Sequence, residues 1–501
     1  MADNNQIGIT VAEGIANGLN LGSGVSTRNI GLLMERERGV PKKAFLLTNQ
    51  DDDRRIFGAV NRTMYSPLVL DSFFRNLGGF NAQVFGIRLV GAASLAATAV
   101  VAFGAPAVTL MTLKAGNAGS EDPGTWGNSL RVVVYPKGHP NGQRDKYQLD
   151  VLLSGRRLES FTNASLVVLA QDINRRSGYV LVSGAVTAAT PALTAPIGVN
   201  FAGGTYASPL PAAYEPANDA VTGEPLGMAL FTSMDVQIVA CPEVFTPEFN
   251  SKCVDWARTH DKFYVYSLPF ESVESNLTDN SALLATPERG FSAGYLEWAE
   301  VDDRNSGRMW IPAIGYVLAA GYIRTAALNN NAVWTPPAGA DSRSVSIFRF
   351  THPDLSDQTR DRYARQFGVN TIKFIRGRGF TIWTSRTNST ESLFASIHIS
   401  LLTNWLKESL NIRSTRFLQK LNSPSLRTEI KLDHSTFMRN VYEKGGLENS
   451  VPFEQACAIS VTQSPEDRRN ITEVIEYIPT ESTESIKINL NRNDGVLVLQ
   501  G

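Results

Sequence analysis

The sequence predicts a multidomain α+β / α/β protein: a mixed α/β core that carries an inserted β-rich domain and ends in extended strand arms on both sides. Three observations carry this expectation. Apolar strand-type runs alternate with amphipathic helical stretches in two separated parts of the chain. Between them the texture changes to short β-type runs separated by Gly, Pro and Asn turns. At the ends, Ile7, Ile9 and Val11 alternate with Gly8 and Thr10, and Ile486, Ile488 and Leu490 alternate with Lys487, Asn489 and Asn491. That period of two belongs to half-buried strands.

In order, residues 1–24 read as an N-terminal arm with a Gly-rich linker, "GIANGLNLGSG". Residues 25–108 form the first part of the core: a strand, a charged turn at Pro41, a second strand, and a helix start at Asp51–Arg55. Three consecutive acids favour a helix N-terminus electrostatically, and they cannot share one helix face. Leu68, Leu70, Phe73, Phe74 and Leu77 then make a helical stripe, stopped by Gly78-Gly79 before a strand at Ala82–Val90. The Ala/Gly-rich stretch "LVGAASLAATAVVAFGAPAVTL" is near transmembrane length, but its proline and lack of bulky side chains point to a strand-forming linker or packed segment.

Residues 109–205 contain "LRVVVYP", "YQLDVLLSG", "SLVVLA" and "GYVLVSGAVTAAT", the inserted β-rich domain. Residues 206–340 return to the core: "SMDVQIVACPE" and "FYVYSLP" read as buried strands flanking a Thr-Pro-capped helix. In residues 341–484, a helix across Glu391–Asn411 places Leu393, Phe394, Ile397, Leu401, Leu402, Trp405 and Leu406 on one apolar face. Its flanking Lys407 and Arg413 become solvent or interface candidates. A second helix around Leu426–Lys444 and two strands follow. Residues 485–501 are a C-terminal strand arm, in which Val496, Leu497, Val498 and Leu499 form a second apolar run. Asn493-Asp494-Gly495 could instead close it into a local hairpin.

Composition excludes several functions. The 501 residues carry a formal charge of −1, with 43% hydrophobic and 19% charged side chains, as in ordinary globular proteins. Cys241, Cys253 and Cys457 have no paired metal spacing and are expected to be small buried hydrophobes, with a crosslink between subunits as the alternative. The N-terminal "MADNNQIGITVAEG" shows no signal-peptide pattern. His139, His260, His352, His398 and His434 are widely separated, so no metal site is expected. "GLNLGSGVS" has Thr27 where a dinucleotide loop needs its third glycine. "FIRGRGF" carries Arg376 and Arg378, which suit a phosphate or simply a turn between strands. No segment supplies a nucleophile, a base and an orienting group together, so the residues point to a structural or interaction protein.

Taken in sequence, several blocks resemble the contractile tail sheath proteins of bacteriophages and related contractile injection particles. "TRNIGLLMERERGVP" is similar to the family's strand and Gly-x-Pro turn, and "LDSFFRNLGGFNAQVFGIRLV" matches through Phe73, Phe74, Gly78, Gly79, Val84 and Arg88. "DPGTWGNSLRVVV" resembles the family's P-G-x-W-G-N block through Pro123, Gly124, Trp126, Gly127 and Asn128. The paired strands "SMDVQIVACPE" and "FYVYSLP", then "PAIGYVLAAGYIRT" with "VWTPPAG", and finally "FTIWTSRT" with Trp383, Arg386 and Thr387, continue the order. Thr384 and Ser385 depart from the family's small Gly-Ala pair.

The resemblance implies a subunit that stacks as rings around an inner tail tube protein and meets baseplate and tail terminator proteins. It implies no cofactor, no enzymatic activity, no direct nucleic-acid contact and no membrane insertion, in a phage virion or an extracellular injection particle. Both terminal arms would pair with neighbouring subunits' sheets. Seventeen extended residues from Ser485 span roughly 55 Å at about 3.3 Å each, enough to reach a neighbour. Gly14, Gly18, Gly22 and Gly24, with Gly495, are the hinge candidates. The insertion would face outward and the C-terminal helices would lie nearer the tube, with Lys431 and Arg439 as tube-contact candidates. A non-contractile tube or adhesin and an α/β enzyme are the alternatives.

Overall fold

The computed structural model describes residues 29–59, 63–104, 107–140, 145–186, 193–286, 289–303 and 307–483. The two arms, including Ile7, Ile9, Val11, Ile486, Ile488, Leu490 and Val496–Leu499, lie outside the described residues, as do all five hinge glycines.

The core begins with β1 (Asn29–Glu35), β2 (Ala44–Leu47), α1 (Gln50–Phe57), α2 (Ser66–Asn76) and β3 (Gln83–Leu89). Asn49 caps α1 by accepting from the Asp52 amide. The insertion then runs through β4 (Thr98–Phe103), β5 (Val108–Asn117), β6 (Ser120–Glu121), β7 (Leu130–Tyr135), β8 (Tyr147–Leu153), β9 (Arg156–Asn163), α3 (Leu166–Arg176), β10 (Val180–Ser183), and β11 (Ile197–Asn200). A short β12 (Ala217–Asn218) and β13 (Pro225–Leu226) lead back to the core.

The core resumes with β14 (Ile238–Ala240), α4 (Pro247–Thr259), β15 (Phe263–Ser267), α5 (Glu274–Leu284) and β16 (Ser292–Tyr295). A three-stranded sheet of β17 (Trp298–Asp303), β18 (Gly307–Pro312) and β19 (Arg349–Phe350) surrounds a helical run. That run starts as α6 (Ile314–Tyr316), continues as a π-helix at Val317–Arg324 and ends as α7 (Thr325–Leu328). Next come α8 (Asp357–Phe367), β20 (Val369–Asn370), the hairpin β21 (Ile372–Ile375) and β22 (Gly379–Ile382), and α9 (Ile397–Ser414). The last elements are α10 (Pro424–Glu443), α11 (Phe453–Ala456), β23 (Cys457–Gln463) and β24 (Ile471–Tyr477).

Seven strands form the central sheet in the order β2-β3-β1-β14-β15-β16-β20. Neighbours are parallel throughout except β2 against β3. Parallel strands with helical crossovers are covered on both faces, which explains why all seven residues of β1 and all five of β15 are buried. The sheet packs on one side against α4 and α5 through Val254, Ala257 and Leu277. The helical run beginning at α6 lies against α2 at contact distance: a Cβ on Gly315 would stand 2.1 Å from the Val69 carbonyl oxygen. Only glycine fits there.

The insertion has its own core. One sheet runs β10-β5-β4 and another β11-β7-β8-β9, and Val101, Leu113, Val132, Leu149, Leu169 and Ile173 pack between them and α3. β4 pairs antiparallel with β5, so the insertion's sheet includes part of the stretch read as a strand-forming linker or packed segment, before residue 109. Small residues there alternate as strand residues because the facing sheet leaves them little room: Ala99 and Val101 are buried. The incoming and outgoing chains run side by side, bridged at Leu95–Thr205 and Thr98–Ala202.

The chain divides into two units, Met1–Ile412 and Arg413–Gly501, so the second begins well past residue 341, where sequence texture places the C-terminal domain. The second unit holds α10 and the antiparallel pair β23–β24 around Phe417, Leu426 and Ile430. All three cysteines are buried with free thiols.

Candidate functional site

The strand-and-turn motif at Arg88 and the P-G-x-W-G-N block meet in space. Arg88 sits on β3 with no exposure and donates from Nε to the Arg36 carbonyl (2.6 Å) and from Nη1 to the Gly39 carbonyl (2.6 Å) and Asp122 (3.1 Å). Its Nη2 donates to the carbonyls of Glu37 (2.9 Å) and Pro123 (2.7 Å). Asp122 also accepts from the Gly39 amide at 2.9 Å and from the Trp126 indole at 3.3 Å. Burial pushes Asp122 up and Arg88 down, toward their neutral forms, and each is opposed by the charge of the other.

Around this pair the insertion is clamped to the core. The Arg38 guanidinium lies 4.5 Å from the Trp126 ring and 4.1 Å from the Tyr179 ring. Asn128 exchanges two hydrogen bonds with the Gly204 backbone, tying the incoming turn to the outgoing strand. A Cβ on Gly127 would meet Ala97 and Ala115 at 2.8 and 2.9 Å, so the block's glycine is a close-approach position. The resembling residues therefore form the joint between the central sheet and the insertion, within the first unit.

At the carboxyl ends of β1 and β14 the order of connections reverses, the place where open α/β sheets hold ligands. Here it is filled from within. Tyr206, on the chain leaving the insertion, donates to Glu35 at the end of β1. Glu243 accepts from the Ser66 hydroxyl, the Ser66 amide at 2.8 Å and the Tyr65 amide at 3.3 Å, at the start of α2. Burial, with repulsion from Glu35, pushes its carboxyl up to about 7 despite these donors. Cys241 is fully buried beside it, its thiol pushed up by desolvation. No group of three His, Cys, Asp or Glu side chains able to hold a metal occurs among the described residues.

In the second unit, β23 and β24 pair through seven residues with alternating exposure. One face packs Val461 and Ile471 on Phe417, Leu426 and Ile430. Fully buried His434 on α10 joins it to β24 through Glu473, with Nδ1 at 2.7 and 2.9 Å from the two carboxylate oxygens. Among the described residues neither strand has a second sheet neighbour. The sequence offered no signal for the His434–Glu473 tie, because its partners are 39 residues apart.

The charged candidates separate. Lys431 is exposed on α10 beside Leu432, itself 67% exposed. Arg439 is engaged within its unit, 3.0 Å from Glu454 and 4.4 Å from the Phe453 ring centre. Arg413 pairs with Asp433 at 2.7 Å and Lys407 with Asp261 at 2.5 Å, so both flanking cations already have intramolecular partners. Arg376 and Arg378 stand exposed at the turn of the β21–β22 hairpin.

The described residues thus give a doubly covered sheet, a clamped insertion, and a small unit whose two strands have no further sheet neighbour among the described residues. No protein-family model matches the chain, and no curated protein matches it in sequence. Solved structures do match its fold. A sheath tail protein from Listeria innocua superposes with a TM-score of 0.59 at 14% identity, over 90% of this chain and 94% of that one. A sheath tail protein from Desulfitobacterium hafniense gives 0.56 at 13%, over 94% and 100%. The sheath complex of an extracellular contractile injection system in its contracted state gives 0.55 at 12%, over 97% and 99%. The chain has the fold of contractile sheath proteins.

Proposed function

We propose that this protein is the structural subunit of a contractile tail sheath, polymerising around an inner tube and contracting to drive that tube through a cell envelope. The observation that supports this best is the extent of the fold match, which spans at least nine-tenths of both partners in each of three sheath comparisons. Its role is structural rather than catalytic, in a phage tail or an extracellular injection particle. Inner tube, baseplate and tail terminator proteins are its expected partners.

The β23–β24 hairpin is the proposed receiver of the neighbours' arms. A two-stranded hairpin is marginal by itself, and adding strands at its edges supplies main-chain hydrogen bonds without rebuilding the subunit. The alternation at Ile486, Ile488 and Leu490 suits an edge of a sheet with one packed face. The hinge glycines beside each arm would let rigid bodies rotate during contraction while the strands stay paired. Lys431, exposed and without an intramolecular ion pair among the described residues, is the better tube-contact candidate than Arg439.

Electron microscopy of the recombinant full chain tests the proposal. Helical tubes or stacked rings are expected, and removal of residues 486–501 should leave a folded subunit of unchanged melting temperature that no longer polymerises. A full chain that stays monomeric at high concentration would overturn the sheath reading. A truncated chain that fails to fold would show that the tail is instead a local hairpin.

A further inference from the structure

Between the start of α4 and the length of α5 lies a cleft of about 430 Å³. Its walls are mixed, with Leu268, Pro269, Ala282 and Leu283 beside Asn276 and Asn280, and Leu283 is half exposed. Two carboxylates, Glu248 and Asp279, also line it. Both are exposed, and neither has an ion-pair partner among the described residues. Nearby acids differ: Glu274 is held by Arg362 at 2.7 Å and Asp255 by Arg258 at 3.1 Å. A partly apolar cleft with amide groups and two carboxylates selects a hydrogen-bonding cation carried on an apolar stem, which describes arginine.

Elsewhere on the same unit the β21–β22 hairpin presents the converse surface. Its turn, closed by the Arg378 amide donating to the Ile375 carbonyl at 2.9 Å, exposes Arg376 and Arg378 on either side of Gly377. Neither guanidinium has a partner among the described residues. Phe374, 58% exposed, adds an apolar shoulder beside them.

We propose that the β21–β22 hairpin tip of one copy seats in the α4–α5 cleft of a second copy, Arg376 and Arg378 facing Glu248 and Asp279. Charge, number of charges and apolar content match on the two surfaces. Because tip and cleft are different patches, the contact is heterologous and propagates into a ring or a helical row rather than closing a dimer. The inference deepens the sheath reading and rests on it for the idea that neighbours repeat.

Charge reversal tests it on the full chain. E248K/D279K and R376E/R378E are surface changes, and circular dichroism should show both folded. Each alone sets like charge against like and should weaken self-association at least about tenfold in sedimentation velocity. Mixing the two variants in equal amounts restores opposite charges at every contact, so association should return, and it should fall with added salt. Wild-type-like association of either variant, or no recovery on mixing, would overturn the proposal. Association that follows this pattern without forming tubes would sustain the contact while sinking the sheath reading. A monomeric wild type would sink both.

Discussion

The central sheet and the C-terminal hairpin are both made of β-strands, yet their environments are opposite. β15 buries every residue and has strands on both sides, whereas β24 alternates half-buried and exposed positions and has one neighbour among the described residues. The first arrangement pairs the strand's main chain on both sides and leaves no edge to donate. The second leaves a row of amide and carbonyl groups without a strand partner among the described residues, a liability in an isolated protein and an asset in one built to be joined. In the proposed sheath role, a subunit that stays rigid while its contacts persist through a rearrangement would use both.

The contrast can be broken most forcefully at the joint between core and insertion. Arg88→Met would strip Asp122 of its closest charge and leave four backbone carbonyls without their donor. We expect a loss of about 3–5 kcal/mol in denaturant unfolding. The hairpin unit should be unaffected as seen by hydrogen exchange of β23 and β24. A loss below about 1 kcal/mol would mean that the pair is not a lock.

Glu243 sharpens the comparison through pH. Its carboxyl is raised in the folded state from an ordinary 4.5 to about 7, so between those values the native protein binds more protons than the unfolded chain. The contribution is fully present below about 4.5 and is lost as pH rises through 7. Relative to wild type, Glu243→Gln should therefore gain stability on going from pH 5 to pH 8, on the order of 2 kcal/mol. Parallel stability profiles for the two proteins would refute the assignment. A matched pair of truncations completes the series: Val239→Ala, buried in β14, should cost about 2 kcal/mol by chemical denaturation, and Val474→Ala, half exposed on β24, under about 0.5. Equal costs would erase the distinction between the regions.

Much of this was legible in the chain. "FYVYS" reads as a buried strand because it is dominated by aromatic and β-branched side chains, and "TPEFNSKCVDWARTHDK" reads as a helix because proline sits at its first turn and its apolar side chains recur at helical spacing. "TAVVAF" reads as strand-forming, but its pairing with Val108–Asn117 shows only in the fold, because register across a turn is not written in either strand alone. The Asp51–Arg55 run read correctly as a helix start, yet its third acid turns inward to Arg36 at 2.9 Å, a pairing that no spacing along the chain announces.

Local chemistry, then, determined the elements: alternation, helical stripes, caps and glycine turns act over a few residues and are written where they act. It also determined the two features on which assembly is argued, the alternation in the arms and the arginine turn, since both are read along a few consecutive residues. Tertiary structure alone decided which distant groups meet: buried Arg88 with Asp122, buried Arg360 with Glu297, and buried His434 with half-buried Glu473. A charge is tolerated inside only where the fold brings its complement, and that meeting depends on the whole chain's path rather than on any stretch of it.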